Sequence, residues 1–154
     1  MSPELVVFTG LQASGKTSFY RARFATTHVH ISKDAWPNAT KKEERQRRLI
    51  EQNLRAGRSV VVDNTNPTPA ERDPLVAIAR ELGASASSYS FVVTVEDALR
   101  RNAAREGRAR IDDVGIFAIA KKLVPPTVSE RFDRRFEVTL SEAGFIVRVL
   151  EDDR

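Results

Sequence analysis

Apolar residues in this chain come in short unbroken runs that alternate with segments of helical period. Leu5-Val6-Val7-Phe8-Thr9 has no polar interruption and ends at Gly10, the pattern of a strand buried on both faces. Residues 16–24 then read as a helix. His28-Val29-His30-Ile31 predicts a second strand, closing on Ser32-Lys33-Asp34. A polar, charged helix spans residues 41–55 and stops at Gly57. Ser59-Val60-Val61-Val62-Asp63 is a third strand of the buried type. Thr68-Pro69-Ala70-Glu71 opens a helix with proline in its first turn and a glutamate three residues after the cap. Leu75, Ile78, Ala79 and Leu82 recur at helical spacing until Gly83. Residues 90–94 predict a fourth strand and residues 96–105 a helix. Asp112 or Asp113 caps a helix carrying Val114, Phe117, Ala118 and Leu123, halted by Pro125-Pro126. Residues 145–150 supply a last strand. Repeated strand–helix units imply an α/β fold: a central parallel sheet of about five strands, helices on both faces and right-handed crossovers. Ligands of such sheets bind beyond the carboxyl ends of the strands.

Composition narrows the chemistry. The 154 residues suit one domain, taken as 1–154. With no cysteine there is no disulfide scaffold, no thiolate catalysis and no sulfur-bound zinc. Only His28 and His30 are available for histidine chemistry, which argues against a multi-histidine metal cage. No apolar run approaches the roughly 20 residues of a membrane span. The first residues, Met1-Ser2-Pro3-Glu4, lack the basic flank of a signal peptide, so the expected location is the cytoplasm and no membrane partner is expected.

Charge is informative through its placement. The net formal charge is +4, yet residues 41–58 hold seven basic and three acidic residues, and residues 99–110 hold five arginines against Glu106 alone. The rest of the chain is therefore net acidic. Such clusters either meet a polyanion or grasp phosphate, or they are simply two solvated helix faces.

Gly10-Leu11-Gln12-Ala13-Ser14-Gly15-Lys16-Thr17 fits the pattern G-x-x-x-x-G-K-[ST], placed between a buried strand and a helix as a phosphate-binding loop requires. Its glycines let the chain curl so that backbone N–H groups, including those of Gln12, Ala13 and Ser14, converge on phosphate oxygens at the positive end of a helix. Lys16 would reach the β- and γ-phosphates, and Thr17 would coordinate magnesium. The expected ligands are a nucleoside triphosphate and Mg²⁺.

Two carboxylates lie at neighbouring strand ends. Asp34 is either the base beside an acceptor hydroxyl or a cap for the segment after it. Asp63 is either a magnesium-orienting carboxylate or part of an Asx turn with Asn64-Thr65-Asn66-Pro67. Arg101, Arg105, Arg108 and Arg110 either fold over the nucleotide as a lid or stand as surface arginines.

Taken together, these segments resemble the kinase domain of polynucleotide 5′-hydroxyl kinases, of both the phage type and the animal DNA-repair type. Ile31-Ser32-Lys33-Asp34 is similar to the family's strand-end segment with a basic residue before the catalytic aspartate. Val61-Val62-Asp63-Asn64-Thr65-Asn66-Pro67 is the most specific match, Arg101-Asn102-Ala103-Ala104-Arg105 resembles the lid helix, and Pro126-Thr127-Val128-Ser129-Glu130-Arg131-Phe132 is similar to an element ending in Glu-Gly-Phe. Order and spacing agree from about residue 5 to residue 150. The resemblance implies a P-loop kinase-like three-layer sandwich with a short arginine-bearing lid. It implies transfer of the γ-phosphate of ATP, with Mg²⁺, to nucleic-acid 5′-hydroxyl ends of DNA or RNA. Lys16 and Thr17 would then bind phosphates and metal, and Asp34 would activate the hydroxyl. Arg105 would be the main lid arginine with Arg101 in support, and Asn64, Thr65 and Asn66 would shape the substrate side. Arg45 and Arg48, in the basic stretch, are the candidates for gripping the acceptor strand.

The sequence departs from that family in three places. The acceptor-gripping arginine of the phage type would fall near Pro37, Arg131 stands where glycine is usual, and no Asp-x-Asp-x-Thr phosphatase motif occurs, so 3′-end processing is not expected. Two alternatives share the loop: a small-molecule kinase acting on a sugar, antibiotic or nucleotide, and a nucleotide-binding switch without transfer chemistry.

Overall fold

The computed structural model describes residues 2–107 and 110–151. Six strands form one sheet: β1 (Glu4–Thr9), β2 (His28–Ile31), β3 (Ser59–Val62), β4 (Ser85–Val92), β5 (Arg134–Ser141) and β6 (Gly144–Leu150), in the order β2-β3-β1-β4-β5-β6. All neighbours are parallel except β5 and β6, which pair as an antiparallel hairpin. Five helices accompany them: α1 (Lys16–Arg23), α2 (Lys42–Arg55), α3 (Pro69–Glu81), α4 (Val95–Ala103) and α5 (Asp113–Lys122).

Side chains alternate between two cores, one on each face of the sheet. Leu5, Val7, Val60 and Val62 point to the face covered by Ile50 and Leu54 of α2 and by Leu75, Val76 and Ile78 of α3. Val6, Phe8, Val61, Phe91 and Val138 point the other way, onto Phe19 and Phe24 of the α1 segment. This double burial is why β1 and β3 read as unbroken apolar runs rather than alternating ones. A third, smaller cluster, Leu11, Ala98 and Ile116, ties the loop after β1 to α4 and α5.

Several expectations need correction. The sheet has six strands rather than about five, and its last strand is antiparallel. Residues 134–141 form a strand that the apolar runs do not announce, although Phe136, Val138 and Leu140 alternate with Arg135, Glu137 and Thr139. The fourth strand starts five residues earlier than its apolar core, because Ser85, Ser87 and Ser88 hide its hydrophobic period. On α5 the buried residue is Ile116, while Val114 and Phe117 are exposed, so the apolar stripe lies on the other face. The α3 cap is as expected: Thr68 and Glu71 form a reciprocal capping box, with Pro69 in the first turn. Arg131 adopts the left-handed conformation, φ 65°, that explains a glycine preference at its position.

Candidate functional site

The carboxyl ends of β1, β2 and β3 meet at one edge of the sheet, and each is followed by a chemically loaded turn. After β1 the loop bends twice through the left-handed region, at Ala13 (φ 60°) and Gly15 (φ 93°). Gly10 is required by a close approach, since a Cβ there would sit 2.9 Å from Cβ of Phe91. The Gly10 N–H donates to the Thr65 carbonyl at 3.1 Å, which locks the loop's first residue to the turn after β3.

Lys16 folds back under this loop. Its Nζ donates to the carbonyls of Gly10 (3.0 Å) and Leu11 (2.7 Å), and the residue is 9% exposed. Burial lowers its pKa to about 8; the Asp63 and Asp34 carboxylates oppose that fall, and Arg105 adds to it. Lys16, Asp34, Asp63 and Arg105 thus share one electrostatic neighbourhood although 89 positions separate the first from the last. Ser14 Oγ is buried without a hydrogen-bond partner among the described residues, an unspent polar atom in the cradle.

Asp63 is the hub of the donor side. Buried at 3% exposure, its Oδ2 accepts from Thr17 Oγ1 and pairs with His30 Nε2, each at 2.8 Å. His30 lies against the Tyr20 ring, 4.4 Å between centroids, and the Tyr20 hydroxyl donates to the His28 carbonyl at 2.6 Å. Sequence reasoning missed His30. Its signal was the alternation of β2, which puts His28 and His30 on the face opposite Val29 and Ile31. Among the described residues no group of three or more His, Asp or Glu forms a metal cage. The Thr17 hydroxyl and Asp63 carboxylate are an all-oxygen pair, and that suits a hard cation that takes its other ligands from phosphate and water.

Asp34 sits in a 3-10 turn, Lys33–Ala35, and is exposed. Ser32 caps the turn, its Oγ accepting from the Asp34 N–H at 3.3 Å. Asn64 holds the turn in place: its Oδ1 accepts from the Lys33 N–H (2.9 Å) and its Nδ2 donates to Gln46 Oε1 of α2 (2.7 Å). Lys33 also pairs with Glu43. Asn66 is turned inward, φ 38° and 6% exposed, with its amide donating to the Phe8 carbonyl at 2.9 Å. Its own carbonyl accepts from Arg72, fully buried and paired in a two-point contact with Glu130 at 2.7 and 3.0 Å. Of the three residues assigned to the substrate side, then, Asn64 braces the Asp34 turn and Thr65 offers its carbonyl to Gly10. Asn66 is spent on the scaffold.

The arginine segment is organised by Asn102, which no argument from charge singles out. Fully buried, it exchanges side-chain hydrogen bonds with both backbone groups of Ile111, at 2.6 and 2.9 Å. That staple closes the segment between α4 and α5. Arg101 reaches the phosphate loop, its Nη1 3.6 Å from where a Cβ on Gly15 would lie. Arg105 follows the end of α4 and is half-buried. Gln12 Nε2 donates to the Gly115 carbonyl of α5 at 3.3 Å, linking loop and segment. Arg110 is exposed, and Arg108 lies outside the described residues. On α2, Arg45 stands 4.5 Å over the Trp36 ring, and Arg48 is exposed about one turn farther along.

A family model described as an AAA domain, AAA_33, matches residues 5–121. Among solved structures, the chain is similar to Kti12 of Chaetomium thermophilum in complex with ADP-AlF3, at 20% identity over 90% of this chain and 92% of that one, TM-score 0.69. A gluconokinase from Sinorhizobium meliloti shares 19% identity over 92% and 85% of the two chains, TM-score 0.64. A fungal RNA kinase shares 15% identity, TM-score 0.71, over 92% of this chain, which spans only 39% of that one. Identities this low speak for the fold alone: an α/β P-loop kinase-like, nucleotide-binding architecture. Among the described residues no helix is long and apolar enough to cross a membrane.

Proposed function

The chain belongs to the AAA domain family AAA_33, and from that premise we propose that it is an ATP-dependent polynucleotide kinase, moving the γ-phosphate of ATP to a 5′-hydroxyl end of DNA or RNA. One observation carries the reading. The phosphate loop, the buried Asp63 and the exposed Asp34 turn are braced together at one sheet edge, so a donor phosphate and an acceptor hydroxyl can meet there.

ATP enters with its phosphates against the loop N–H groups. Lys16 exchanges the carbonyls of Gly10 and Leu11 for β- and γ-phosphate oxygens, a better-matched partner for a buried ammonium. Asp34, in solvent at the mouth, accepts the proton of the 5′-hydroxyl as its oxygen bonds to the γ-phosphorus. The bond from that phosphorus to the β–γ bridging oxygen breaks, and ADP leaves. Arg101 and Arg105 neutralise charge building on the transferred group. Thr17 and Asp63 would hold Mg²⁺, which when bound neutralises phosphate oxygens. Thr17 and His30 keep Asp63 in one rotamer. The Lys41, Arg45 and Arg48 side of α2 follows the acceptor's phosphates.

The resemblance at residues 61–67 and the fold likeness to the fungal RNA kinase support the nucleic-acid acceptor. A second reading, a small-molecule kinase, is favoured by the gluconokinase, which this chain matches over most of both lengths. Transfer of labelled γ-phosphate, tested across 5′-hydroxyl oligonucleotides and a panel of nucleosides, sugars and antibiotics, decides between them. Labelled oligonucleotide is expected; label only in a sugar or antibiotic replaces the proposal with the second reading. ATP binding without transfer to any acceptor leaves a nucleotide-binding switch.

A further inference from the structure

Trp36 is the chain's single tryptophan, and it stands two residues beyond Asp34, at the end of the same turn. One side of its indole packs against the α2–α3 core, and the Arg45 guanidinium lies over the ring. Helical spacing puts no carboxylate beside Arg45, since Lys41, Lys42, Arg48 and Leu49 are its neighbours three and four positions away, and among the described residues its partner is Trp36. Its neighbours differ: Lys33 pairs with Glu43, and Arg47 with Glu51 at 3.1 Å. A guanidinium seated over an aromatic ring, on a side chain that is exposed, can offer a stacking surface with donor edges still available.

The surface is also fixed relative to Asp34. Gln46, the residue after Arg45, is buried and accepts from Asn64, which in turn accepts from the Lys33 N–H at the start of the Asp34 turn. Helix and turn are bolted through one amide. The Trp36 backbone N–H donates to the Lys33 carbonyl at 3.0 Å, closing the turn itself. The platform and the carboxylate therefore cannot drift apart without breaking these partly buried hydrogen bonds.

We infer that Arg45 on Trp36 is the platform for the terminal base of the acceptor, which lies on the guanidinium plane while the guanidinium edge meets the phosphate 3′ of that nucleotide. The inference rests on the polynucleotide kinase reading. It adds a base-bearing acceptor, recognised by stacking and so tolerant of base identity, because every base has a π-face. Free sugars and polyols have no such face.

The test uses Trp36 as its own reporter. The wild-type chain, without ATP, is titrated with a 5′-hydroxyl hexadeoxynucleotide and with the same strand carrying an abasic first position, while tryptophan emission is followed. The base-bearing strand is expected to change the emission at saturation and to bind about tenfold more tightly than the abasic one, the scale of one stacked base. Arg45→Gln should raise the oligonucleotide KM a few-fold with the ATP KM unchanged. Trp36→Leu should do the same, and the wild-type titration stands even if that variant folds poorly. Equal affinity for the two strands with unchanged emission overturns the platform, even if the oligonucleotide is phosphorylated. An emission change with gluconate and none with either strand also overturns it. Base-dependent binding and emission without phosphoryl transfer supports the platform while removing the kinase reading, so the two fail separately.

Discussion

The two halves of the site are built by different rules. On the donor side, Ser14, Lys16, Asp63 and Asn66 are buried, and the side chains of all but Ser14 hydrogen-bond within the phosphate loop or from one strand end to the next. On the acceptor side, Asp34, Arg45 and Arg48 are exposed, and the Asn64–Gln46 relay pins the turn that carries Asp34. A polar group out of water must be paired, so a donor-side residue has a dictated partner and little freedom. A solvated residue has no such demand, and its role follows from what it stands beside. Changes on the donor side should therefore couple chemistry to stability. Changes on the acceptor side should move kinetics and leave the fold alone.

Lys16→Met probes that contrast most strongly. Turnover should fall by several orders of magnitude, since a charge facing the transferred phosphoryl is lost. The nucleotide-free chain should meanwhile become more stable at pH 7, by on the order of 2 kcal/mol, because a buried ammonium is removed; the midpoint of denaturant unfolding reads this. The pH dependence has a definite sign. The folded pKa, about 8, lies below the unfolded value of 10.5, so the unfolded chain holds more protons between them and this group adds stability as pH rises through that window. Lys16→Met should flatten that rise. Nucleotide binding to the wild type should weaken above pH 8, where the ammonium is lost. A variant with normal transfer would mean that the loop is no phosphate cradle.

Asp34→Asn comes next. A positioned base contributes roughly 10²–10⁴-fold, so transfer should drop by that range while ATP affinity and unfolding midpoint stay put. If calorimetry instead finds ATP binding abolished, Asp34 belongs to the donor side and the division between the two halves fails.

His30→Ala sharpens the division from the donor side. Without the His30 Nε2 partner, Asp63 keeps Thr17 alone and gains rotamer freedom. The gain in ATP affinity that Mg²⁺ brings over EDTA should shrink about tenfold, the usual cost of losing a partner behind a metal-binding residue. His30→Gln, which can still donate, should recover part of it. An unchanged Mg²⁺ gain in both variants makes His30 a packing residue against Tyr20.

The smallest effect belongs to Arg45→Glu/Arg48→Glu. The oligonucleotide KM should rise several-fold with ATP KM and stability unchanged. The salt slope of strand binding should also flatten, by about 0.7 for each phosphate that the helix no longer neutralises. Identical slopes would leave α2 as a solvated cover.

Much of the donor side could be read in one dimension because its residues are adjacent in the chain. The loop from Gly10 to Thr17 needs its residue types at fixed spacing, and the apolar runs around it announce β1 and β3. Residues 134–141 were missed although they alternate, because a strand with Arg and Glu on one face carries a weak apolar signal. The early start of β4 was hidden more deeply, because serines pair as well as valines in a ladder while adding nothing to hydrophobic period. What no local pattern contains is partnership. That Asp63 would be shared by Thr17 and His30, or that Asn66 would turn inward to Phe8, depends on which strand ends lie side by side. By itself the sequence determined the alternating strands and helices, the phosphate loop and the placement of carboxylates after β2 and β3, because backbone propensity and burial act over neighbouring residues. Only the tertiary structure decided the order β2-β3-β1-β4-β5-β6 and the pairing of buried Arg72 with Glu130, because each requires surfaces far apart in the chain to exclude water together.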